Sequence, residues 1–385
     1  MRLIMKRTLT SVFLALTLIS NYVHGDDSNK KTENKLESSH DIEITTFAKG
    51  LNQPWGMKFL PDGRLLVTEK AGRLRIIDAS GTVSKPIDGV PTVNSKGQGG
   101  LLDVALDPNY ADNQTIYFSY AKLENDENQS RTAVAKAQLQ GNTLNNVKQI
   151  WQQAQLHRAG YHYGSRLVFD PNGYLFITLG DRGKKEEVQD LSTHFGKVVR
   201  IDTNGKPAPD NPFINKANAL PDIYSYGHRN IQGAFLHPQS GVLWINEHGP
   251  RGGDEINMVQ AGRNYGWPVI TYGINYNGTP ITDKTTMEGM EQPIHYWDPS
   301  IATSGMLIYT GNAFPHWHGD IFTGALKLMH LNRVKLDAND KVQVEERLLL
   351  EQKQRIRAIE QGPKGHIYVA TDNAEGQIFK ISPIQ

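Results

Sequence analysis

The chain has 385 residues with 41 basic and 40 acidic side chains, which gives a formal net charge of +1 when the histidines are neutral. This near balance excludes the strong positive field that attracts nucleic acids or anionic membranes, so we expect no nucleic-acid partner. The sequence contains no cysteine, which excludes disulfides, a lipid-anchored N-terminal cysteine, and haem or iron–sulfur centres held by thiolates.

Residues 1–25 have the plan of a secretory signal peptide. Basic residues at Arg2, Lys6 and Arg7 precede the apolar run LTSVFLALTLIS, and small residues lead to a predicted cleavage point after Gly25. The apolar run is too short to span a bilayer as a permanent helix, and a retained, uncleaved anchor is the alternative. The pattern predicts a periplasmic or secreted protein with no integral membrane segment after signal cleavage.

Residues 26–40 read DDSNKKTENKLESSH, a segment that is polar, highly charged and poor in large apolar groups. Such a segment cannot bury enough apolar surface to offset the conformational entropy that ordering would cost. We therefore expect a disordered tether between the signal peptide and the folded domain.

From residue 41 to residue 385 the sequence repeats one pattern: a short apolar or alternating run, a turn of Pro, Asp, Asn and Gly, and a second run. Six imperfect copies are marked by their turn prolines, which are Pro61, Pro108, Pro171, Pro238, Pro315 and Pro363. Their spacing fits one four-stranded blade plus a variable loop, so we predict an all-β, six-bladed β-propeller over residues 41–385. A two-sheet β-sandwich, or two stacked β domains, is the alternative because it also has short, regularly spaced strands.

The first predicted strand of this domain is DIEITTFA, at the N-terminal end of the repeats. It is expected to complete the last blade, which closes the ring and leaves no open sheet edge. Helical periodicity is nearly absent from the sequence, and KKEEVQDLSTHFG is the segment that favours a short helical turn.

Polar loops that precede the first strand of each blade are predicted to meet at one end of the central channel. SYGHRNIQG precedes the fourth repeat and carries Arg229, Asn230 and Gln232, while RAGYHYGSR in the third repeat carries His162. Asp181 follows in LGDRG. A histidine beside a carboxylate is typical of a general base and the group that orients it, although a lone histidine is more often solvated or satisfied in the core.

Four cationic side chains are predicted to converge near these loops. They are Arg229, Lys327, Arg355 and Arg357. Because such a cluster repels itself without a ligand, it indicates an anion with several carboxylates or phosphates. The plainer interpretation of Arg355 and Arg357, which lie two positions apart in a strand, is an exposed polar face.

The segment EHGPRGGDE is a candidate metal site. Gly249 and Pro250 lie in a turn whose backbone carbonyls are expected to be free, and such carbonyls are good calcium ligands. Pro250 has no N–H to donate, which leaves that side of the loop rich in acceptors. A Gly-Pro pair in a loop is, however, more often simply a turn.

In this order, SYGHRNIQG, EHGPRGGDEIN and GRNYGWP resemble the signature of the soluble quinoprotein sugar dehydrogenases, the glucose/sorbosone dehydrogenase family, and especially its periplasmic aldose sugar dehydrogenases. The resemblance extends from GLNQPWGMKFLPDGRLLVTEK to GQIFKI. Members of this family are six-bladed propellers that bind pyrroloquinoline quinone (PQQ) and calcium. The resemblance therefore implies a PQQ-dependent aldose sugar dehydrogenase that oxidises the anomeric hydroxyl to a lactone and passes electrons to an external acceptor.

The resemblance also implies roles for individual residues. His162 would take the proton of the anomeric hydroxyl, Asp181 would orient His162, and Arg229 would stabilise the charge that develops when hydride reaches the C5 carbonyl of PQQ. The remaining implied roles are cofactor binding by Arg229, Asn230, Lys327, Arg355 and Arg357, substrate binding by Gln98 and Gln232, and calcium ligation by the carbonyls of Gly249 and Pro250.

A second calcium in parts of the family lies near positions that match Glu255 and Tyr265. Here the segment that follows, PVITYGINYNG, lacks an obvious carboxylate, which leaves the second site and any calcium-supported dimer open. We expect a monomer or a weak homodimer.

Two other functions remain open on the residues alone. A calcium-dependent propeller lactonase or hydrolase would need several side-chain carboxylates around its metal, and it would leave the cationic cluster unexplained. A non-catalytic propeller that binds a sugar or a protein partner would keep its blades without needing His162, Lys327 or the arginines.

Overall fold

The structure, a computed structural model, describes residues 42–124 and 129–384. The predicted signal peptide and tether lie outside these ranges and stay predictions. None of the helices within them has the length and apolar character that a membrane span needs.

The described residues form six antiparallel sheets, and five of these follow the chain order of their strands. The described residues begin with β1 (Ile42–Leu51). The first blade contains β2 (Pro54–Phe59), β3 (Leu65–Glu69) and β4 (Arg73–Ile77), and the second contains β5 (Leu101–Leu106), β6 (Thr115–Leu123), β7 (Ser130–Gln140) and β8 (Thr143–Gln152). The third contains β9 (Gly164–Phe169), β10 (Leu175–Leu179), β11 (Lys197–Ile201) and β12 (Ile223–Tyr226). The last three contain β13 (Ile231–Leu236), β14 (Leu243–Glu247), β15 (Asp254–Val259) and β16 (His295–Trp297); β17 (Thr303–Ile308), β18 (Ile321–Ala325), β19 (His330–Leu336) and β20 (Val342–Leu348); and β21 (Ile356–Gln361), β22 (Ile367–Thr371) and β23 (Gly376–Pro383), with β1 as the fourth strand.

The first strands of the blades form a closed ring. β2 contacts β5 and β21, and the contacts continue through β9, β13 and β17 back to β21. β1 pairs with β23 antiparallel, with Ile44 opposite Ile381, so the N-terminal strand completes the sixth blade. The six-bladed propeller and its predicted closure are confirmed, and the sandwich interpretation is wrong because the sheets stand around a ring instead of packing as two layers.

Helices are few and short in the part of the chain that the structure describes. They are α1 (Tyr110–Asn113) and three 3₁₀ turns at Lys185–Glu187, Pro315–Trp317 and Leu350–Gln352. The first 3₁₀ turn confirms the helical turn predicted in KKEEVQDLSTHFG.

All six marker prolines lie between the first and second strands of their blades. In the third blade the Asp170 carboxylate accepts hydrogen bonds from the backbone N–H groups of Asn172 and Tyr174, at 2.8 and 2.9 Å. Gly173 supplies the left-handed conformation of this turn with φ of 81°. This local chemistry explains why the Pro-Asn-Gly pattern identified the blades.

Among the described residues, hydrophobic clusters fill the spaces between neighbouring blades. β10 shows the principle: Phe176 packs towards the fourth blade with Ile231, whereas Leu175 and Ile177 pack towards the second blade with Trp151. Because neighbouring blades cover both faces of a second strand, its side chains are buried on both sides. This is why the second strands read as continuous apolar runs and not as alternating ones.

Arg166, on the innermost strand β9, ties several blades together across the channel. Its guanidinium lies 4.1 Å from the Trp55 ring and 3.2 Å from an Asp103 carboxylate oxygen, and its Nε donates to the Gln232 carbonyl at 2.6 Å. Its Nη2 also donates to the carbonyl of Arg357 at 3.3 Å. These contacts hold the innermost strands in place, and the loops that adjoin them start from fixed positions.

Candidate active site

His162 and Asp181 form a close pair at the start of the third blade. His162 Nδ1 lies 2.7 Å from Asp181 Oδ1, which also accepts the Gly183 N–H at 2.7 Å. The Trp267 indole Nε1 donates to the other oxygen, Oδ2, at 2.9 Å. Because both oxygens of Asp181 are bound, the carboxylate is fixed, and His162 Nδ1 is the donor in this network. The pair leaves the other ring nitrogen, Nε2, as the acceptor.

The backbone of His162 is braced in an unusual conformation. Its φ is 54°, in the left-handed region, and its N–H donates to Gln98 Oε1 at 2.8 Å. A Cβ atom on Gly180 would lie 2.1 Å from the His162 carbonyl oxygen, so only glycine allows this close approach. Strained backbone of this kind persists where the surroundings hold it, and here it directs the imidazole of a candidate base.

The electrostatics favour a neutral histidine facing an ionised aspartate. Burial lowers the pKa of His162, and the charges of Arg229 and Arg182 lower it further against the opposing effect of Asp181. Burial would raise the pKa of Asp181, but the hydrogen bond and charge of His162 together with the Gly183 N–H hold it below its ordinary value. A neutral imidazole with a fixed anionic partner can accept a proton.

Two cavities lie side by side at this end of the channel and share Gln98 in their walls. The outer cavity, of about 510 Å³, is lined by His162, Asp181 and Arg229. The inner cavity, of about 290 Å³, is lined by Asn230 and other residues of the channel mouth. A group bound in the inner cavity is thus placed next to a molecule that contacts His162.

The inner cavity is rich in cationic groups. Arg355 and Arg357 both line it and share one oxygen of Asp372, at 2.8 and 3.1 Å. Lys70 also lines it, and burial together with the Arg357 charge lowers the pKa of this lysine. Arg357 Nε is buried and has no hydrogen-bond partner among the described residues. Three cations against one carboxylate, with a spare donor, fit an anionic ligand.

Lys327 differs from the other predicted cations. It is exposed, and the cavity wall is formed by its neighbour Leu326 instead. Its backbone N–H donates to the Ile301 carbonyl at 3.0 Å. The structure therefore brings Arg355 and Arg357 to the inner cavity and Arg229 to the outer one, and it places Lys327 beside the inner wall without lining it.

Asn230 and Gln232 link the cationic groups. Gln232 Nε2 donates to Asn230 Oδ1 at 3.2 Å, and Gln232 Oε1 accepts from Arg357 at 2.9 Å. Both side chains line the inner cavity, whereas Gln98 reaches both cavities. Gln232 was predicted to bind substrate, but it lines the inner cavity together with the residues predicted to bind the cofactor.

The candidate calcium loop contacts Arg229. The Gly249 carbonyl accepts from Arg229 Nη1 at 2.7 Å, so it is already engaged, contrary to the expectation that it would be free. The carbonyl of His248 accepts from the same nitrogen at 3.0 Å. Pro250 lines the outer cavity, close to the histidine–aspartate pair. Within the described ranges, no group of three or more His, Cys, Asp or Glu side chains is arranged to hold a metal.

Glu255 and Tyr265 line a small third cavity of about 20 Å³, together with Glu247 and Gly249. Burial and the charge of Glu247 raise the pKa of Glu255. The Asn257 amide donates to both carboxylates, at 3.5 Å to Glu247 and 3.1 Å to Glu255. Glu247 therefore supplies the second carboxylate that the sequence analysis did not identify, and the pair would be relieved by a bound cation.

Sequence reasoning missed Trp267, Asp372, Lys70 and Glu247. A usable signal existed for two of them. Asp372 comes directly after the second strand of the sixth blade, and Lys70 directly after that of the first blade. Asp181 lies two residues after the second strand of the third blade. Aligning the repeats at this position would have identified both. Trp267 lies in GRNYGWP, where the sequence analysis assigned a role to Tyr265 and none to Trp267.

Fold and site together define a six-bladed propeller with a histidine–aspartate pair and a cationic cavity at one channel mouth. A profile described as Glucose / Sorbosone dehydrogenase matches residues 51–380. The chain therefore belongs to the glucose/sorbosone dehydrogenase family, and it is an enzyme of the dehydrogenase class.

Individual relatives agree with this membership. Aldose sugar dehydrogenase YliI of Escherichia coli strain K12 is 42% identical over 347 residues, covering 89% of this chain and 93% of the relative. Quinoprotein glucose dehydrogenase B of Acinetobacter calcoaceticus is 27% identical over 417 residues, covering 87% and 86%. The crystal structure of the soluble E. coli aldose sugar dehydrogenase in its apo-form superposes with a TM-score of 0.86 at 42% identity, covering 89% of this chain and all of that one.

Proposed function

We propose that this protein oxidises the anomeric hydroxyl of aldose sugars to lactones, with PQQ and calcium as cofactors, and passes the electrons to an external acceptor. The observation that carries the proposal is the shared wall at Gln98, which places a histidine–aspartate pair beside a cationic cavity. The names of the E. coli and A. calcoaceticus relatives support an aldose substrate and a quinone cofactor.

The inner cavity suits PQQ, which carries three carboxylates on a planar ring system. Arg355, Arg357 and Lys70 would bind these carboxylates, and the unpartnered Arg357 Nε is available as a donor. Asn230 would hold the quinone edge, and the exposed Lys327 would reach the cofactor only from the rim. When bound, PQQ supplies a quinone that accepts the hydride, and calcium withdraws electron density from that quinone.

Calcium would be held by the carbonyls of Gly249 and Pro250, and a second ion by Glu255 and Tyr265. Oxygen ligands from backbone and carboxylates are those that calcium prefers. The small cavity lined by Gly249 and the Glu247–Glu255 pair is a suitable position for one ion, because a cation would neutralise the repulsion between these two neighbouring carboxylates.

The chain's own residues supply the proton transfer and the charge stabilisation. His162 Nε2 takes the proton of the anomeric hydroxyl, which makes the C1–H bond a better hydride donor, and Asp181 stabilises the imidazolium that forms. Arg229, which lines the outer cavity, would stabilise the negative charge that develops on the hydride acceptor. Gln98 holds the His162 backbone and contacts the sugar.

We infer that the protein works in the periplasm or as a secreted protein after cleavage of residues 1–25. The tether at residues 26–40 would then connect the new N-terminus to the propeller. We expect a monomer or weak homodimer whose partners are the sugar and a separate electron carrier.

The test is a titration of metal-free protein with PQQ and calcium, following dye reduction with glucose, galactose, xylose and maltose. We expect turnover only when both cofactors are present. PQQ binding is followed separately by its absorbance, so that a loss of cofactor is not mistaken for a loss of chemistry. If PQQ does not bind, the cationic cavity serves another anion, and lactone hydrolysis or sugar binding without chemistry becomes the better explanation.

A further inference from the structure

Trp267 lies between the catalytic pair and Arg229, and the proposed chemistry gives it no role. Its indole Nε1 donates to Asp181 Oδ2 at 2.9 Å, and its ring lies 5.4 Å from the Arg229 guanidinium. The side chain is only 8% exposed, although it forms part of the outer cavity wall. The apolar part of the ring could pack in this position without any hydrogen bond. The contact between the buried indole N–H and the carboxylate is therefore a feature separate from packing.

Trp267 is itself held firmly. Its backbone N–H donates to the Gly227 carbonyl at 2.9 Å, and its carbonyl accepts from Gln189 Nε2 at 2.8 Å. The ring packs with Val188 and Phe195 in a separate buried cluster. The donor that meets Asp181 therefore comes from a rigid part of the structure, 86 residues away along the chain.

We propose that Trp267 is a positioning residue for the base: it fixes Asp181 Oδ2 so that Oδ1 stays on His162 Nδ1 and the imidazole presents Nε2 to the outer cavity. The inference rests on the proposed function in so far as His162 is the base of that reaction. Trp267 acts through Asp181 and forms no bond to the reacting atoms.

The physical argument concerns both orientation and proton affinity. Without the indole donor, Asp181 Oδ2 is left unpaired, so the orientation of the carboxylate and of the imidazole bound to it is less precisely fixed. Without it, the negative charge of Asp181 is also less stabilised, so Asp181 attracts the imidazolium more strongly and His162 holds its proton more tightly. The other charged groups that act on His162 are Arg229 and Arg182, and neither changes in a Trp267 variant.

The chain offers a matched control. Trp151 Nε1 donates to Asp222 Oδ2 at 2.7 Å, and Asp222 Oδ1 lies 3.0 Å from His194 Nε2. This second tryptophan–aspartate–histidine set lines neither of the two cavities at the active site. Trp151→Phe removes the same kind of hydrogen bond as Trp267→Phe, away from the proposed chemistry.

We expect Trp267→Phe to lower kcat by about 10- to 100-fold while KM changes by less than about threefold, because the substituted ring still fills the wall. The acid limb of the profile of kcat/KM against pH should move to higher pH. Trp151→Phe should lower the melting temperature and leave kcat and the acid limb unchanged. A Trp267→Phe acid limb that coincides with the wild-type limb would overturn the positioning role, as would an equal loss of kcat in Trp151→Phe.

A second measurement uses the wild-type protein without cofactors. In an NMR titration, the indole N–H resonance of Trp267 should shift over the same pH range in which the His162 imidazole titrates, because Asp181 links the two. The Trp151 resonance should not follow that titration. An unchanging Trp267 resonance would contradict the link. A linked shift in a protein that oxidises no aldose would overturn the proposed function and leave the link established.

Discussion

The part of the chain that the structure describes contains two tryptophan–aspartate–histidine sets with similar hydrogen bonds but different surroundings. In one, Trp151 and His194 bind the two oxygens of Asp222, and His194 Nδ1 accepts the Ala154 N–H at 2.9 Å. Both of its ring nitrogens are occupied, and His194 is only 4% exposed. In the other set the imidazole of His162 lines the outer cavity and uses Nδ1 alone for Asp181.

The comparison teaches that the hydrogen bonds within such a set do not define a catalytic base. Asp222 connects the second blade, through Trp151 on β8, with the third blade, through the loop that carries His194. That set stabilises the contact between two blades. What distinguishes His162 is an unoccupied ring nitrogen beside a cavity that can hold a substrate, and this property comes from the surrounding loops.

The largest effect should come from replacing the two histidines. His162→Gln should reduce kcat by about 10²- to 10⁴-fold, the range for loss of a general base, while PQQ binding and the melting temperature change little. His194→Gln should instead destabilise the fold by about 1 to 3 kcal/mol, because buried partners lose their hydrogen bonds. Dye-linked kinetics and thermal unfolding measure both. A His194→Gln protein that stays folded but has lost its turnover would contradict the conclusion that His194 has only a structural role.

The next effect concerns the two aspartates. Asp181→Asn replaces a charged acceptor by an amide that cannot accept from both His162 and Trp267 in the same way, so kcat should fall by about 10²-fold through misplacement of the base. Asp222→Asn should affect stability alone. Kinetics at saturating sugar, with the folded fraction measured by circular dichroism, separate these outcomes, and equal kinetic losses in both variants would contradict the distinction.

A smaller effect is expected from the backbone that presents His162. Gly180→Ala places a Cβ where the His162 carbonyl oxygen lies 2.1 Å away, so the loop must move and kcat should fall by about tenfold, or about 1.4 kcal/mol. Gly160→Ala, in the loop that carries His162, is the control, since the atom nearest to its added Cβ would be 3.7 Å away. Turnover of the two variants is compared with PQQ bound; a Gly160→Ala protein that is as slow as Gly180→Ala would show that the clash is not the cause.

The smallest effect is a pH dependence. Because burial and the charges of Arg229 and Arg182 lower the pKa of His162 from 6.5, the base stays neutral below that pH, and the acid limb of kcat/KM should lie below pH 6.5. The unfolded chain binds this proton more readily than the folded chain. Stability should therefore fall as the pH drops below 6.5, until the folded-state pKa is passed.

Urea unfolding at a series of pH values measures this loss of stability. His162→Gln is the control because glutamine has no imidazole to take up a proton. Its stability should fall less between pH 6.5 and the folded-state pKa. A wild-type acid limb above pH 7 would contradict the lowered pKa.

Much of the fold could be predicted because its signals are local. Short apolar or alternating runs and Pro-Asp-Gly or Pro-Asn-Gly turns depend on residues within a few positions of each other, as the Asp170 turn shows. The blade count, the closing strand β1 and the short helical turn were all predicted from such patterns. The convergence of the loops at one channel mouth then followed from the geometry of a propeller.

Other parts of the site could not be predicted because they depend on distant pairs. Trp267 reaches Asp181 across 86 residues, and Gln232 reaches Arg357 across 125. Lys327 looked equivalent to the arginines, yet its side chain is exposed while Lys70, from the first blade, lines the inner cavity. The direction of one side chain at the end of a strand is set by contacts with neighbouring blades, which a local pattern does not contain.

The amino-acid sequence by itself determined the propeller, its six repeats, and the set of loops in which functional residues had to lie. The tertiary structure alone decided which histidine–aspartate pair faces a cavity, which cations share the inner wall, and which tryptophan binds Asp181. The physical reason is that strand patterns express burial along one chain segment, whereas a site is formed by short hydrogen bonds between segments that only the closed ring brings together.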